Sequence, residues 1–363
     1  MHQFSKLMKK KYLKVLNFEG QIIYVGIDCH LKSWKVTIQS EEFELSTFSQ
    51  EPTTEKLVKH LKFNYPGACF KCVYEAGFSG FWIQRELELY GIECIIAHPA
   101  DIPTMDKEKK QKSDKIDSRK LSRSLKNNEI EGIYIPSLEL QEAKSLLRSR
   151  VKIVNDLTRV KNRIKFFLMY YGISLDSYAD RNWSKKFITE LHSIKLKTIS
   201  GQIALNTYLK ELDFLTLQRK QLDKAIVELS KTKQFRDDVN LLLKVPSIGM
   251  TTAMTLLSEI GDIKRFKTLD QLCCYFGLIP NTHSSGENDR VGRNTRRGNK
   301  FLKHVIIECA WMAIRKDTGL YLYYKKQIAR MEPNKAIIKV AKKLLNRIKL
   351  VLTEQVEYQV GIA

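Results

Sequence analysis

The stretch Ile22-Ile-Tyr-Val-Gly-Ile-Asp28-Cys-His30 sets the tightest limit on what this chain can fold into. Apolar β-formers run without a break into Gly26 and Ile27, as in a strand buried on both faces. The run ends on a carboxylate, Asp28. A charge inside such a strand is costly, so Asp28 has to lie where the strand emerges, paired or holding a cation. Gly26 removes a side chain just before it and lets another backbone or a ligand come close.

The following residues supply the rest of a sheet. Trp34, Val36 and Ile38 alternate with Lys35 and Thr37, and Phe43, Leu45 and Thr47 continue the pattern toward Glu51-Pro52. Three strands joined by short turns predict an antiparallel meander. A helix opening at Thr53-Thr54-Glu55 carries Leu57, Val58 and Leu61, followed by a strand Phe70–Tyr74 that stops at Glu75. Gly77 and Gly80 lead into a helix at Phe81–Tyr90, and Ile92–Ala97 makes a fifth strand. This order predicts a mixed α/β sheet covered by helices, with Asp28 and Glu75 at the C-terminal ends of two strands, the edge where open α/β sheets build sites.

Ser113-Asp114-Lys115-Ile116-Asp117 then starts a helix, with Ser113 as a plausible N-cap. Asp114 and Asp117 share one face near its positive end, which first-turn aspartates do for the macrodipole alone. Beside Asp28 and Glu75, they complete four carboxylates that can converge. Four such groups cannot all stay ionised without cations between them, and oxygen ligands select Mg²⁺ or Mn²⁺. Two such ions can activate an attacking oxygen and steady a departing one in phosphodiester cleavage.

The charge balance names the partner class. Sixty-two Lys and Arg against 40 Asp and Glu leave +22, a balance that favours nucleic acid. No apolar run reaches the ~20 residues of a membrane span, and the basic first twenty residues lack a signal-peptide core. Seven scattered cysteines read as reduced cytoplasmic thiols, and the expected location is the cytoplasm, in association with the nucleoid. Cys69 and Cys72 have zinc-knuckle spacing, but no second pair follows, so strand packing explains them better.

From Pro136 the texture changes to long helices. Ile153, Leu157, Val160, Ile164, Phe167 and Tyr171 form one heptad seam. Tyr208, Leu212, Leu215, Leu222, Ile226 and Leu229 form a second, broken by Arg219. They predict an antiparallel hairpin within one chain or a dimerising coiled coil, with Gly172–Gly201 as the turn-back. Further on, Val245-Pro246-Ser247-Ile248-Gly249, followed by Thr251, Thr252 and Ala253, lies between two apolar helices like a helix-hairpin-helix. Gly249 is expected to permit the tight turn, and the backbone N–H groups that follow can hold a phosphate without reading sequence.

Pro280 and Gly286 bracket a polar loop holding His283, Ser284 and Ser285, after which Arg290, Arg293, Arg296, Arg297, Lys300 and Lys303 arrive in quick succession. Serine in a turn is usually structural. An arginine cluster beside it can neutralise a phosphodiester as its charge builds, and the hydroxyl can attack if something assists its deprotonation. Phe301–Ile314 then forms an apolar helix. The tail from Lys335 is amphipathic, with Ile337, Val340, Leu344, Ile348 and Leu352 on one face.

Taken in order, these pieces resemble the IS110/IS1111-type insertion-sequence transposases, or DEDD recombinases, over nearly the whole chain from Tyr24 to Leu352. The resemblance rests on Val-Gly-Ile-Asp28-Cys-His, Tyr74-Glu75-Ala-Gly77 and Lys112-Ser-Asp114-Lys-Ile-Asp117. It rests equally on Val-Pro246-Ser-Ile-Gly249, on Gly277-Leu-Ile-Pro280 with Ser-Ser285-Gly286, and on Gly298-Asn-Lys-Phe-Leu302. It implies a RuvC-like domain of the RNase H type over residues 21–135, behind a basic extension at 1–20. A coiled-coil linker at 136–235 and a mainly helical transposase domain at 236–363 would follow. The acidic residues would be Asp28, Glu75, Asp114 and Asp117 and the nucleophile Ser285, with Ser284 as the fallback. It also implies a 5′-phosphoserine intermediate, Mg²⁺ (Mn²⁺ as substitute), a dimeric or tetrameric assembly, and an element-encoded guide RNA pairing with donor and target DNA. Nucleic-acid contacts are expected from Lys112, Lys115, Ile248, Gly249, Thr251, Arg290, Arg293, Arg296, Arg297 and Lys300.

The expected function is therefore a DNA transposase working by serine attack assisted by a metal-bound carboxylate cluster. Its rivals are a DNA invertase of the same build, a hydrolytic nuclease using the carboxylates alone, and a non-catalytic nucleic-acid binder.

Overall fold

Strands β1 (Ile22–Cys29), β2 (Trp34–Gln39), β3 (Glu44–Gln50), β4 (Cys69–Glu75) and β5 (Glu93–Ala97) build one sheet in the order β3-β2-β1-β4-β5. The computed structural model describes residues 18–104, 114–173, 183–285, 288–294 and 297–361, with the backbone alone for 281–294. It divides into two compact units, one ending at Ile135 and one beginning at Pro136.

In the first unit β1 pairs antiparallel with β2, and β2 with β3, as the expected meander. On its other side β1 runs parallel to β4, and β4 to β5. The mixed sheet is compatible with the RNase H-like fold. Period-2 alternation divides β1 between two cores. Ile23, Val25 and Ile27 pack with Leu57, Val58 and Leu61 of α1 (Thr54–Asn64) and with Ile83 and Leu87 of α2 (Trp82–Leu89). On the opposite face Tyr24 packs with Val73 and Ala97, under Leu121 and Leu125 of α3 (Asp114–Lys126). Cys72 is buried and Cys69 exposed.

Among the described residues, the regular structure of the second unit is helical apart from one hairpin. Helices α4 (Leu138–Tyr170) and α6 (Ile199–Ser230) run antiparallel, fixed by Arg150 to Asp223 at 2.5 Å and Arg163 to Glu211 at 2.6 Å. Leu157, Val160, Ile164 and Leu168 meet Leu205, Leu209, Leu212 and Leu215. The two seams thus pair within the chain, and α5 (Lys185–Ser193) in the turn-back adds Phe187 and Leu191. The first seam drifts at its end. Leu168 is fully buried, whereas Tyr171 is half exposed, because a straight helix advances 3.6 rather than 3.5 residues per turn.

A second, larger core gathers α7 (Arg236–Leu243), α8 (Met250–Ile260), α9 (Leu269–Tyr275), α10 (Lys300–Ala313), α11 (Thr318–Ile328) and α12 (Pro333–Glu354). All five apolar residues read on one face of the tail are buried there. The stretch expected as a polar loop instead forms a β-hairpin, β6 (Pro280–Ser285) and β7 (Asn288–Asn294). None of the helices among the described residues is long and apolar enough to cross a membrane.

Candidate functional site

Gly26 is what brings the acidic residues together. A Cβ at this position would collide with the backbone oxygen of Ser118 and the backbone nitrogen of Ser122. Its absence lets α3 lie directly on β1, a contact lined by small buried side chains. Ser118 and Ser122 are fully buried, and the Ser118 hydroxyl lies 2.8 Å from that of Thr37, the β2 partner of Gly26. Two residues beyond Gly26, Asp28 faces the same side. One turn back along α3 from Ser118, its first residue is Asp114.

The resulting cluster is tight. His30 Nε2 lies 3.2 Å from Asp28 Oδ2 and 3.5 Å from Asp114 Oδ1. One potential ligand atom from each of Asp28, His30 and Asp114 falls within 4.8 Å of the others. Asp117 is held by Lys120, Nζ to Oδ1 at 3.0 Å, and its charge is felt at Asp28. Burial, the dominant cause, raises the Asp28 carboxyl above its ordinary range. The His30 imidazole pulls it down, and the negative charges of Asp117 and Asp114 push it further up.

Glu75 is exposed at the end of β4. The parallel register that sets Ile27 opposite Tyr74 brings Asp28 and Glu75 in at the next position of the two neighbouring strands. Glu75 thus shares the sheet edge and face of Asp28 without belonging to the three-residue cluster. His30 does belong to it, although it was not among the residues expected at the site. The donor set of two carboxylates and one imidazole fits a divalent cation, and the raised Asp28 is the group such a cation would relieve.

In the second unit, β6 and β7 pair from Pro280 opposite Asn294 to Ser285 opposite Asn288. Ser284 and Ser285 therefore occupy the last rungs before the connection. Arg290 and Arg293 lie on the returning strand, while Arg297 and Lys300 are exposed beyond it. Lys115 is exposed on the first turn of α3. Lys112, Ser113, Gly286 and Arg296 lie outside the described residues.

The helix-turn-helix of α7 and α8 departs from expectation at two positions. Gly249 has φ −99°, a value open to any residue, so it is not what permits the turn. Ser247 carries the left-handed conformation, with φ 88°. Ile248 is the second correction. Its side chain is buried in the core and its N–H donates to the Val245 carbonyl, so neither is free for a phosphate. Gly249, with open space where a Cβ would stand, and Thr251 remain at the start of α8.

Comparison with known proteins gives matches in both halves of the chain. The DEDD transposase model of IS110 matches residues 25–172, and the model for transposases of the IS116/IS110/IS902 family matches residues 239–325. The protein y4rJ of Sinorhizobium fredii, named as a transposase, is 31% identical over 302 residues, spanning 75% of this chain and 74% of that one. The transposase for insertion sequence element IS1533 of Leptospira borgpetersenii is 28% identical over 82% of this chain and 87% of its own. The transposase for insertion sequence element IS1111A of Coxiella burnetii is 28% identical over 70% of each.

Proposed function

Since this chain belongs to the IS110 family of insertion-sequence transposases and is a DNA recombinase, we propose that it cuts and rejoins DNA by serine attack with help from the acidic cluster. The observation that carries the proposal is the approach of Asp28, His30 and Asp114 around one point at the end of the central strand. Asp28, Asp114 and His30 would hold a divalent cation there, with Asp117 and Glu75 alongside. A cation so bound supplies charge neutralisation and an acidified ligand for phosphodiester chemistry. Carboxylate oxygens suit Mg²⁺, and the imidazole widens the choice to Mn²⁺.

In the second unit the nucleophile is Ser285, with Ser284 as the alternative. Its hydroxyl loses a proton as the oxygen attacks phosphorus, the new Ser–O–P bond retains the 5′ phosphate, the P–O3′ bond breaks, and a proton returned through water completes the released 3′-hydroxyl. Attack by another 3′-hydroxyl reverses the step and joins new partners, so the phosphodiester energy is conserved. Arg290, Arg293, Arg296, Arg297 and Lys300 would face the phosphates, while Gly249, Thr251, Lys112 and Lys115 hold backbone without reading sequence. Sequence choice then falls to a partner, which we take to be a guide RNA encoded by the element. Assembly as a homo-oligomer brings two DNA ends together.

The test is to trap protein on a suicide DNA substrate. Ser285→Ala should abolish the covalent adduct and leave nucleic-acid binding intact, and Asp28→Ala should stop cleavage as chelation does. An adduct that persists in Ser285→Ala but not in Ser284→Ala would move the role to Ser284. Cleavage without any adduct would favour the hydrolytic nuclease.

A further inference from the structure

The carboxylate of Glu259 is deeply buried, its side chain 1% exposed, and it is the one charge on α8. Nothing in the proposed chemistry uses it. Isolated, it would be severely penalised, yet it is fully engaged. Arg148 of α4 grips it with two parallel bonds, Nε to Oε1 at 2.7 Å and Nη2 to Oε2 at 3.1 Å. Lys144 stands 3.6 Å from Oε2, and the Asn299 side-chain amide donates to the same oxygen at 3.0 Å.

Asn299 is the informative partner. Its Oδ1 accepts from the N–H groups of Phe301 and Leu302 and so caps α10, while its backbone N–H donates to the Tyr275 carbonyl at 2.7 Å. The Tyr275 hydroxyl donates to the Glu259 carbonyl at 2.7 Å. Next to Asn299, Gly298 is pressed so closely on Gly277 that a Cβ would strike the Gly277 backbone. Gly277 comes three residues before β6, and Gly298 comes four after β7. Both ends of the segment that carries Ser285 are thus drawn to one place, and a single buried carboxylate links that place to α4 and α8.

We infer that Glu259, through Asn299, is a positioning element that fixes the base of the serine hairpin and so sets the placement of the nucleophile. The inference rests on the serine reading. A tether of this kind leaves substrate affinity alone and acts on the reactive geometry, where a misplacement of about 1 Å costs up to about 100-fold in rate. Serine is as good an N-cap as asparagine but cannot reach Glu259 with an amide.

The decisive variant is therefore Asn299→Ser in the full-length protein. It should keep the α10 cap, the melting temperature within a few degrees, and DNA binding, while the rate of covalent adduct formation falls by about 10- to 100-fold. The reciprocal exchange, Glu259→Gln combined with Asn299→Asp, restores an amide-to-carboxylate bond and should recover much of the rate lost in Asn299→Asp alone. If Ser285→Ala abolishes the adduct but Asn299→Ser forms it at the wild-type rate, the positioning role is wrong and the serine assignment stands. If neither Ser285→Ala nor Ser284→Ala affects the adduct, the serine assignment itself fails. A drop in Asn299→Ser matched by lost DNA binding or a collapsed melting temperature would show a merely structural tie and overturn the inference.

Discussion

At the scale of single residues, Asp28 couples stability to function with opposite signs. Its carboxyl is raised in the folded protein above the ordinary value of 3.8, so the folded state holds its proton more tightly than the unfolded chain does. The stabilisation that this proton brings is complete below 3.8 and is lost as pH rises through the folded value. At neutral pH without metal, the ionised group therefore weighs against folding. Asp28→Asn should melt higher than wild type in chelator at pH 7, lose that advantage as pH falls below 4, and show no strand cleavage. Calorimetry across pH would contradict this if the variant melted lower at pH 7. A divalent cation should raise the melting temperature of wild type and not of Asp28→Asn. Ser247 makes a similar case without chemistry. It holds φ 88°, a strained conformation for a residue with a side chain, so Ser247→Gly should stabilise the protein by about 1 kcal/mol, seen as a rise of roughly 2–4 °C in melting temperature. A fall would mean that the lost side chain packs better than its strain suggests. Both positions also show what a sequence can reveal. Asp28 announced itself as a charge closing an apolar run, while His30 gave no signal because its partner Asp114 is 84 residues away. At the α7–α8 turn, the usual freedom of glycine pointed to Gly249, two residues past the serine that carries the left-handed conformation.

At the scale of elements, the acidic cluster exists because one helix lies unusually close to one strand. The small residues Gly26, Ser118 and Ser122 make that contact possible, and Arg119 of α3 reinforces it with bonds of 2.8 and 2.6 Å to Glu44 on β3. Gly26→Ala should force α3 away from β1, at an overpacking cost of about 1–3 kcal/mol, and take Asp114 and Asp117 with it. The expected result is a lower melting temperature together with weaker divalent-cation binding by isothermal titration. Cation binding at wild-type strength would show that the acids do not depend on this contact. The strands and helices of the first unit were legible because their apolar residues follow periods of 2 and 3.6. The hairpin Pro280–Asn294 was not, since a run of Asn, Thr, His, Ser, Asp and Arg carries almost no apolar alternation. Glu259 was readable in principle as a lone acid in an apolar helix, but its partners at 148 and 299 lie far off in the chain.

At the scale of the whole molecule, binding and chemistry draw on different features. A charge of +22 over the chain holds a polyanion by releasing its counterions, a sequence-blind and strongly salt-dependent attraction. The acidic cluster is a small negative island within that field, so it contributes chemistry at some expense of affinity. Asp28→Ala should therefore bind DNA at least as tightly as wild type, in chelator as well as in Mg²⁺, with the same steep slope of log affinity against log salt. Cleavage should vanish in both the variant and the chelated wild type. Filter binding across a salt series, run beside a cleavage assay, measures both together. If Asp28→Ala lost affinity in proportion to activity, the cluster would be part of the DNA-holding surface, and two separate tasks would collapse into one.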